Sequence, residues 1–299
     1  MSAAGSTSVA RALILTARPK TLAASVVPVL VGTSVAVSEG YPVAGWISLF
    51  AVLSAMMIQI GTNYVNDAID FKKGADSETR LGEARASQQG WFTANGVLAM
   101  AAGFFALALA FGLPLVWEGG WPIVVIGLLS LAMGYGYTGG PFPLAYLGLG
   151  DLFVVIFFGL VAVGGVVFLQ THALPDSVWI AGLQVGLLAT VLIAVNNLRD
   201  LDQDKLVNKK TLAVRLGPKL GRIEVLLLIA VAFMLNGYWL YHGFGYAFGL
   251  PFIALPLAIR VVWRLLCSQA GVEYNQILAQ AAMLHMLFGV LLGIGLIIK

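Results

Sequence analysis

Stretches of about 20 apolar residues recur along this chain from end to end, and no other feature limits its possible folds so sharply. At 1.5 Å of rise per residue, roughly 20 apolar residues carry a helix across a hydrocarbon core about 30 Å thick. Nine such segments are expected, near residues 21–38, 44–65, 94–114, 121–138, 152–170, 178–198, 223–241, 247–264 and 278–298. The runs are continuously apolar rather than alternating, which argues against a β-barrel. Composition agrees. Of the 299 residues 60% are hydrophobic and 10% charged, where a soluble domain carries about 25% charged residues. The expected fold class is all-α, a polytopic membrane bundle of nine transmembrane helices read as one domain over 1–299.

The charges fix an orientation. Arg11, Arg18 and Lys20 precede the first segment; Lys72, Lys73, Arg80 and Arg85 follow the second. Arg199, Lys205, Lys209, Lys210, Arg215, Lys219 and Arg222 follow the sixth, and Arg260 and Arg264 end the eighth. Only Lys299 falls on the other side. The positive-inside rule then places the N-terminus and these loops in the cytoplasm and the C-terminus outside, in a plasma or inner membrane. Residues 1–17 lack the tripartite layout of a cleavable signal peptide, so the first segment is expected to stay in the protein. One cysteine, Cys267, excludes an internal disulfide or a cysteine metal site. No nucleic-acid partner is expected.

Two loops stand apart. Residues 66–92 and 196–222 hold eight of the 14 acidic residues and 11 of the 17 basic ones. They follow the second and sixth segments, and each runs from Asn through acids to bases, as a duplicated helical unit would. Asn66 and Asp70 are four apart, Asp67 and Asp70 three; Asn196, Asp200 and Asp204 fall at i, i+4 and i+8. On a helix leaving the membrane such spacings share a face. Carboxylates gathered there repel unless a cation sits among them. Mg2+ suits the set, because it takes hard oxygen ligands and completes its shell with water and phosphate. No His or Cys set for zinc or iron lies nearby. Lys72, Lys73, Arg80, Lys209, Lys210 and Arg215 would neutralise the phosphate oxygens that a metal does not reach. Acids for a metal beside bases for an anion make a candidate diphosphate clamp on the cytoplasmic face.

Two further segments carry weaker signals. RPKT at 18–21 precedes the first segment and suits either an interfacial anchor or an anion contact through Arg18 and Lys20. The connection GYGYTGGPFPLAYLGLGD at 134–151 has no Lys or Arg despite its cytoplasmic side. It is expected to face substrate with Tyr137, Tyr146 and Asp151.

At these motifs the chain resembles the UbiA superfamily of intramembrane aromatic prenyltransferases. Within it, the chain most resembles the branch acting on 1,4-dihydroxy-2-naphthoate. RPKT, NDAIDFKKGAD at 66–76, RLG at 80–82, YTGGPFPLAYLGLGD at 137–151, NNLRDLDQD at 196–204 and KKTLAVRLG at 209–217 occur in the family's order. The resemblance implies a metal set of Asp67, Asp70, Asp76, Asn196, Asp200 and Asp204, of which Asp70, Asp76, Asp200 and Asp204 would be catalytic. It implies diphosphate contacts at Asn66, Lys73, Arg80, Asn196 and Lys209. Asp76 follows Asp70 by six residues, wider than in enzymes acting on 4-hydroxybenzoate, and Asp151 stands where this branch would have Glu. The implied reaction transfers a polyprenyl group from an allylic diphosphate to the naphthoate, with Mg2+ and loss of the ring carboxylate, giving a demethylmenaquinone. Phytyl transfer or another aromatic acceptor is the alternative. A transporter is disfavoured because the charges gather at one membrane face rather than at its midplane.

Overall fold

The computed structural model of the chain describes residues 8–76 and 81–298, and it is helical throughout these with no strand among them. Helix α1, Val9–Ala17, starts where the Ser8 hydroxyl accepts from the Arg11 N–H, and it stops at Arg18 in the left-handed region (φ 53°). After the turn Pro19–Thr21 comes α2, Ala23–Ser38, bent 48° from the preceding segment. Next are α3, Gly45–Lys72; α4, Ala94–Gly119, capped by the Thr93 hydroxyl; and α5, Trp121–Gly136. Then come α6, Gly150–Thr171, α7, Ser177–Arg199, and the short α8, Leu201–Leu206. The chain ends with α9, Leu212–Tyr241, α10, Gly245–Cys267, and α11, Tyr274–Ile298.

Each of the nine expected segments falls on one of these helices. Seven are long and apolar enough to cross a membrane, and α1–α2 make an eighth if the bent pair is one span. The 16-residue α5 is shorter. Two boundaries move. Helix α3 continues past residue 65 to Lys72, and α9 begins at Leu212 instead of 223. Hydropathy marks the apolar part of a helix, but backbone hydrogen bonding runs on through polar residues, so both helices extend past their apolar stretches. The α9 extension breaks at Gly217 (φ 77°, ψ 171°), just before Pro218, which cannot donate to the helix ladder.

Helix α7 is the axle, with 72% of its most apolar window buried. It packs against α2, α6, α9 and α11. Lipid supplies no hydrophobic drive for helices to associate, so close van der Waals approach must hold them. Glycine supplies it on the α6 side: a Cβ at Gly159 would collide with the Gly182 carbonyl oxygen and lie 2.8 Å from the Gly186 Cα. Gly159 lies within a π-helical stretch, Val155–Val161, which turns Phe157 and Phe158 towards a cavity while the glycine meets α7. Replacing Gly159 with Val should therefore destabilise the detergent-solubilised protein by about 1–3 kcal/mol, as overpacking does. A thermal melt unchanged from wild type would contradict this contact.

Candidate functional site

The α3 extension presents the first acidic set as expected, with Asn66, Asp67 and Asp70 on its last two turns. The second set does not form one straight ridge. Helix α7 ends at Arg199, Asp200 caps it in a non-helical conformation (φ −93°, ψ 7°), and α8 restarts at Leu201. The Asp200 N–H still donates to the Asn196 carbonyl and the Asp204 N–H to that of Asp200, so these two bonds carry the line across the bend.

Asp70 is the meeting point. Its Oδ1 accepts from the Tyr146 hydroxyl at 3.0 Å, while Oδ2 lies 3.7 Å from Lys209 Nζ and 3.8 Å from Arg85 Nη2. Lys209 also approaches Asp204 Oδ1 at 3.5 Å, joining the first acidic set to the second. Arg85 reaches Asp76 Oδ2 through Nε at 3.5 Å. Arg199 clasps both Asp200 oxygens at 2.8 and 2.6 Å and donates to Asn196 Oδ1 at 2.9 Å. Each acid thus shares a cation with a neighbour or grips one itself.

Tyr146 offers its ring to two lysines, its centroid 4.0 Å from Lys73 Nζ and 5.5 Å from Lys209 Nζ. An ammonium over a ring face is attracted by the ring quadrupole, so the tyrosine stabilises both cations at the site. Burial and the Asp70 carboxylate raise its phenol above the ordinary tyrosine range. Lys73 also donates to the Thr138 carbonyl at 2.9 Å, and burial lowers its ammonium. For Lys209 burial pulls down, but Asp70 and Asp204 outweigh it and hold the ammonium above the usual lysine range. Asp204 is pushed up to about 6, chiefly by burial, with Lys209 opposing.

Below these charges lies a cavity of about 270 Å³. Its polar rim includes Arg18, Asn66, Asp70, Arg85, Asn196 and Lys209; its apolar wall includes Phe153, Phe157, Phe158 and Leu192. Phe153 and Phe157 stack nearly parallel, 5.7 Å between centroids. Tyr137 also lines the space, and Asn66 accepts from the Thr138 hydroxyl.

Several expectations change. Asp67, expected among the metal ligands, is fully buried, and its two oxygens accept from the backbone N–H groups of Ala86 and Ser87 at 2.7 and 2.9 Å. It anchors the 81–92 loop, because a carboxylate on a turn of α3 can satisfy two adjacent loop amides. Lys20 does not line the cavity; it pairs with Glu83 at 2.6 Å on the surface. Asp151 is buried in the first turn of α6, away from the cavity lining. Arg80 lies outside the described residues. Arg215, read as a phosphate contact, donates to the Leu147 and Lys210 carbonyls and so ties the Tyr146 loop to the Lys209 segment. Sequence reasoning did not single out Arg85 or Arg199. Both sit within the charge-rich loops, but no spacing separates them from their basic neighbours.

The donor chemistry fits a hard divalent cation. Among the described residues no three His, Cys, Asp or Glu side chains form a set that would enclose a metal unaided. The fit rests on the donors themselves: Mg2+ takes hard oxygen ligands, and Asp70, Asp76 and Asp204 present carboxylates beside the bases Arg85 and Lys209.

Comparisons with known proteins converge. The model of the UbiA prenyltransferase family matches residues 25–293. A 1,4-dihydroxy-2-naphthoate octaprenyltransferase of Haemophilus influenzae is 33% identical, over 95% of this chain and 94% of its own. The Bacillus subtilis protein of the same description is 31% identical over 94% and 91%. Among solved structures, a UbiA homologue from Archaeoglobus fulgidus bound to DMAPP and Mg2+ superposes with a TM-score of 0.64, at 16% identity, over 96% of this chain and 99% of that one. That likeness establishes a shared fold.

Exchanging Asp67 for Ala strands two loop amides, at a cost of about 1–3 kcal/mol each. Trypsin should then cut after Arg85, which wild type buries. Equal protection in both proteins would refute the anchor.

Proposed function

Because the chain belongs to the UbiA prenyltransferase family, we propose that it transfers a polyprenyl group from an allylic diphosphate to 1,4-dihydroxy-2-naphthoate, giving the quinol form of a demethylmenaquinone. The observation that carries this reading is the convergence of Asp70 and Asp204 on Lys209 at the mouth of an apolar, aromatic-walled cavity. The naphthoate relatives, similar across nearly the whole chain, support the acceptor. The charge asymmetry along this multi-pass chain supports a site on the cytoplasmic side of a plasma or inner membrane.

The residues divide the work. Mg2+ would draw its one or two carboxylates from Asp70, Asp76 and Asp204; Asp67 is spent on two loop amides, and Asp200 and Asn196 are engaged by Arg199, which holds them beside that group. When bound, Mg2+ supplies electrostatic stabilisation of the departing diphosphate. Lys209, Lys73 and Arg85 take the phosphate oxygens left over, with Asn66 as a further polar contact. As the allylic C–O bond breaks, its electron pair leaves with the diphosphate, and these cations meet the charge where it grows. The phenylalanine wall excludes water that would quench an allylic cation. The ring carbon bearing the carboxylate attacks, and CO2 departs, leaving its bonding electron pair to the ring.

The test is purified protein with Mg2+, 1,4-dihydroxy-2-naphthoate and allylic diphosphates of several lengths, phytyl included, with products read by mass spectrometry. Prenylated naphthoquinol is the expected product, and its absence with every donor would sink the assignment. Asp70→Ala and Asp204→Ala should each lower turnover by about 100-fold or more, the scale of losing one preorganised electrostatic contact.

A pH dependence arises from Asp204. A metal ligand must be ionised, and this carboxyl is half protonated near pH 6. The Mg2+ concentration for half-maximal rate should therefore stay flat above pH 6 and rise below it, by up to about tenfold per unit. A profile flat down to pH 5 would remove Asp204 from the metal set.

A further inference from the structure

The first turn of α11 reaches into the charged site from the far end of the sequence. The Asn275 side chain faces two ways there. Its Oδ1 accepts from Arg199 Nη1 at 2.8 Å, and its Nδ2 donates to the Leu81 carbonyl at 2.8 Å. Arg199 is buried and turns Nε and Nη2 to Asp200 and Asn196. Leu81 lies four residues before Arg85, on the segment that delivers Arg85 to Asp70 and Asp76. One amide therefore touches both charged arms at once. Leu278, one turn along on the same helix face, lines the cavity, so this face of α11 points at the site.

We propose that Asn275 is a positioning residue: it sets the second acidic arm, through Arg199, in register with the 81–92 loop that carries Arg85. An amide suits the task because it offers one acceptor and two donors in a fixed plane. A planar guanidinium is likewise fixed once three of its edges are used. Asp200 and Asn196 are then held against a partner that cannot swing, and the loop is tied to that same partner. Without the amide, Arg199 Nη1 and the Leu81 carbonyl lose their partners and the two arms move independently. The 81–92 loop would still be held by Asp67 at Ala86 and Ser87, so the expected loss is of register and not of fold.

The functional half of this inference rests on the prenyl-transfer reading; the structural half does not, and the experiment separates them. Hydrogen exchange is measured by mass spectrometry on the full-length detergent-solubilised protein, without substrate, in wild type, Asn275→Ala and Asn275→Asp. Removing a hydrogen bond to a charged group is expected to speed exchange about tenfold. In Asn275→Ala this should appear in both 81–92 and 199–206, with the rest of α11 unchanged. Asn275→Asp keeps the acceptor for Arg199 and deletes the donor to Leu81, so it should loosen 81–92 alone. Under turnover, Asn275→Ala should raise KM for the allylic diphosphate about tenfold and leave KM for the naphthoate within about twofold. Wild-type exchange in both segments of the alanine variant would overturn the proposal. So would loosening of all of α11 with both KM values rising together, which marks a merely structural residue. The predicted exchange pattern in a protein that turns over no prenyl diphosphate would leave the bridge standing and refute the proposed function.

Discussion

A carboxylate at the edge of a bilayer keeps its charge only if a cation or water compensates for the lost solvation, and the arrangement of this site stems from that constraint. Asp70, Asp76, Asp200 and Asp204 are all buried, and Arg85, Arg199 and Lys209 are interleaved among them at 2.6 to 3.8 Å. Lys73 adds a fourth cation across the Tyr146 ring. Among the described residues these four acids meet four bases, with Arg18 a further cation on the cavity rim, so the resting site carries little net charge. Such a balance allows a diphosphate and a divalent cation to enter together with little change in net charge, whereas either alone would leave a buried surplus. Pairing also explains the place of Tyr146: its hydroxyl donates to Asp70 while its ring takes the Lys73 and Lys209 ammonium groups.

Much of this was legible in sequence because it is periodic or compositional. Segment positions come from hydropathy, and the Asn66–Asp70 ridge comes from helical spacing on a helix that continues past the lipid. Asp200 shows where periodicity stops helping: i, i+4, i+8 spacing describes a straight helix, but the chain breaks there and restarts as α8. Asp67 shows a second limit. It has the residue type and spacing of a ligand, yet two backbone amides 19 and 20 residues later claim its oxygens. Partner choice of that kind depends on loop path, which local pattern does not encode. Asn275 is the extreme case, since its two partners lie 76 and 194 residues away.

The apolar half of the cavity has its own logic. Inside lipid, small residues decide how near two helices come, and Gly159, Gly182 and Gly186 bring α6 against α7. The π-helical stretch rotates the later turns of α6 relative to the earlier ones, so the glycine can face α7 while Phe157 and Phe158 face the cavity. Gly159 and Phe157, two residues apart, lie on nearly opposite sides of the helix, so one turn serves both the close packing on α7 and the cavity wall.

These two halves depend on one another. A dry aromatic wall makes each ion pair above it stronger, because the local dielectric falls. The same wall would make an unpaired acid untenable, which is why the cations must already be in place before any ligand arrives. They are brought there by elements remote in sequence: Lys209 from the turn after α8, Arg85 from a loop pinned by Asp67, Arg199 from the end of α7. Each of those elements is tied to another by a hydrogen bond that no ligand need touch: Arg215 to Leu147, Asp67 to Ala86, Asn275 to Leu81. Precise charge placement in this fold is therefore a property of the loop-to-loop ties, and the acidic motifs are the part that those ties aim.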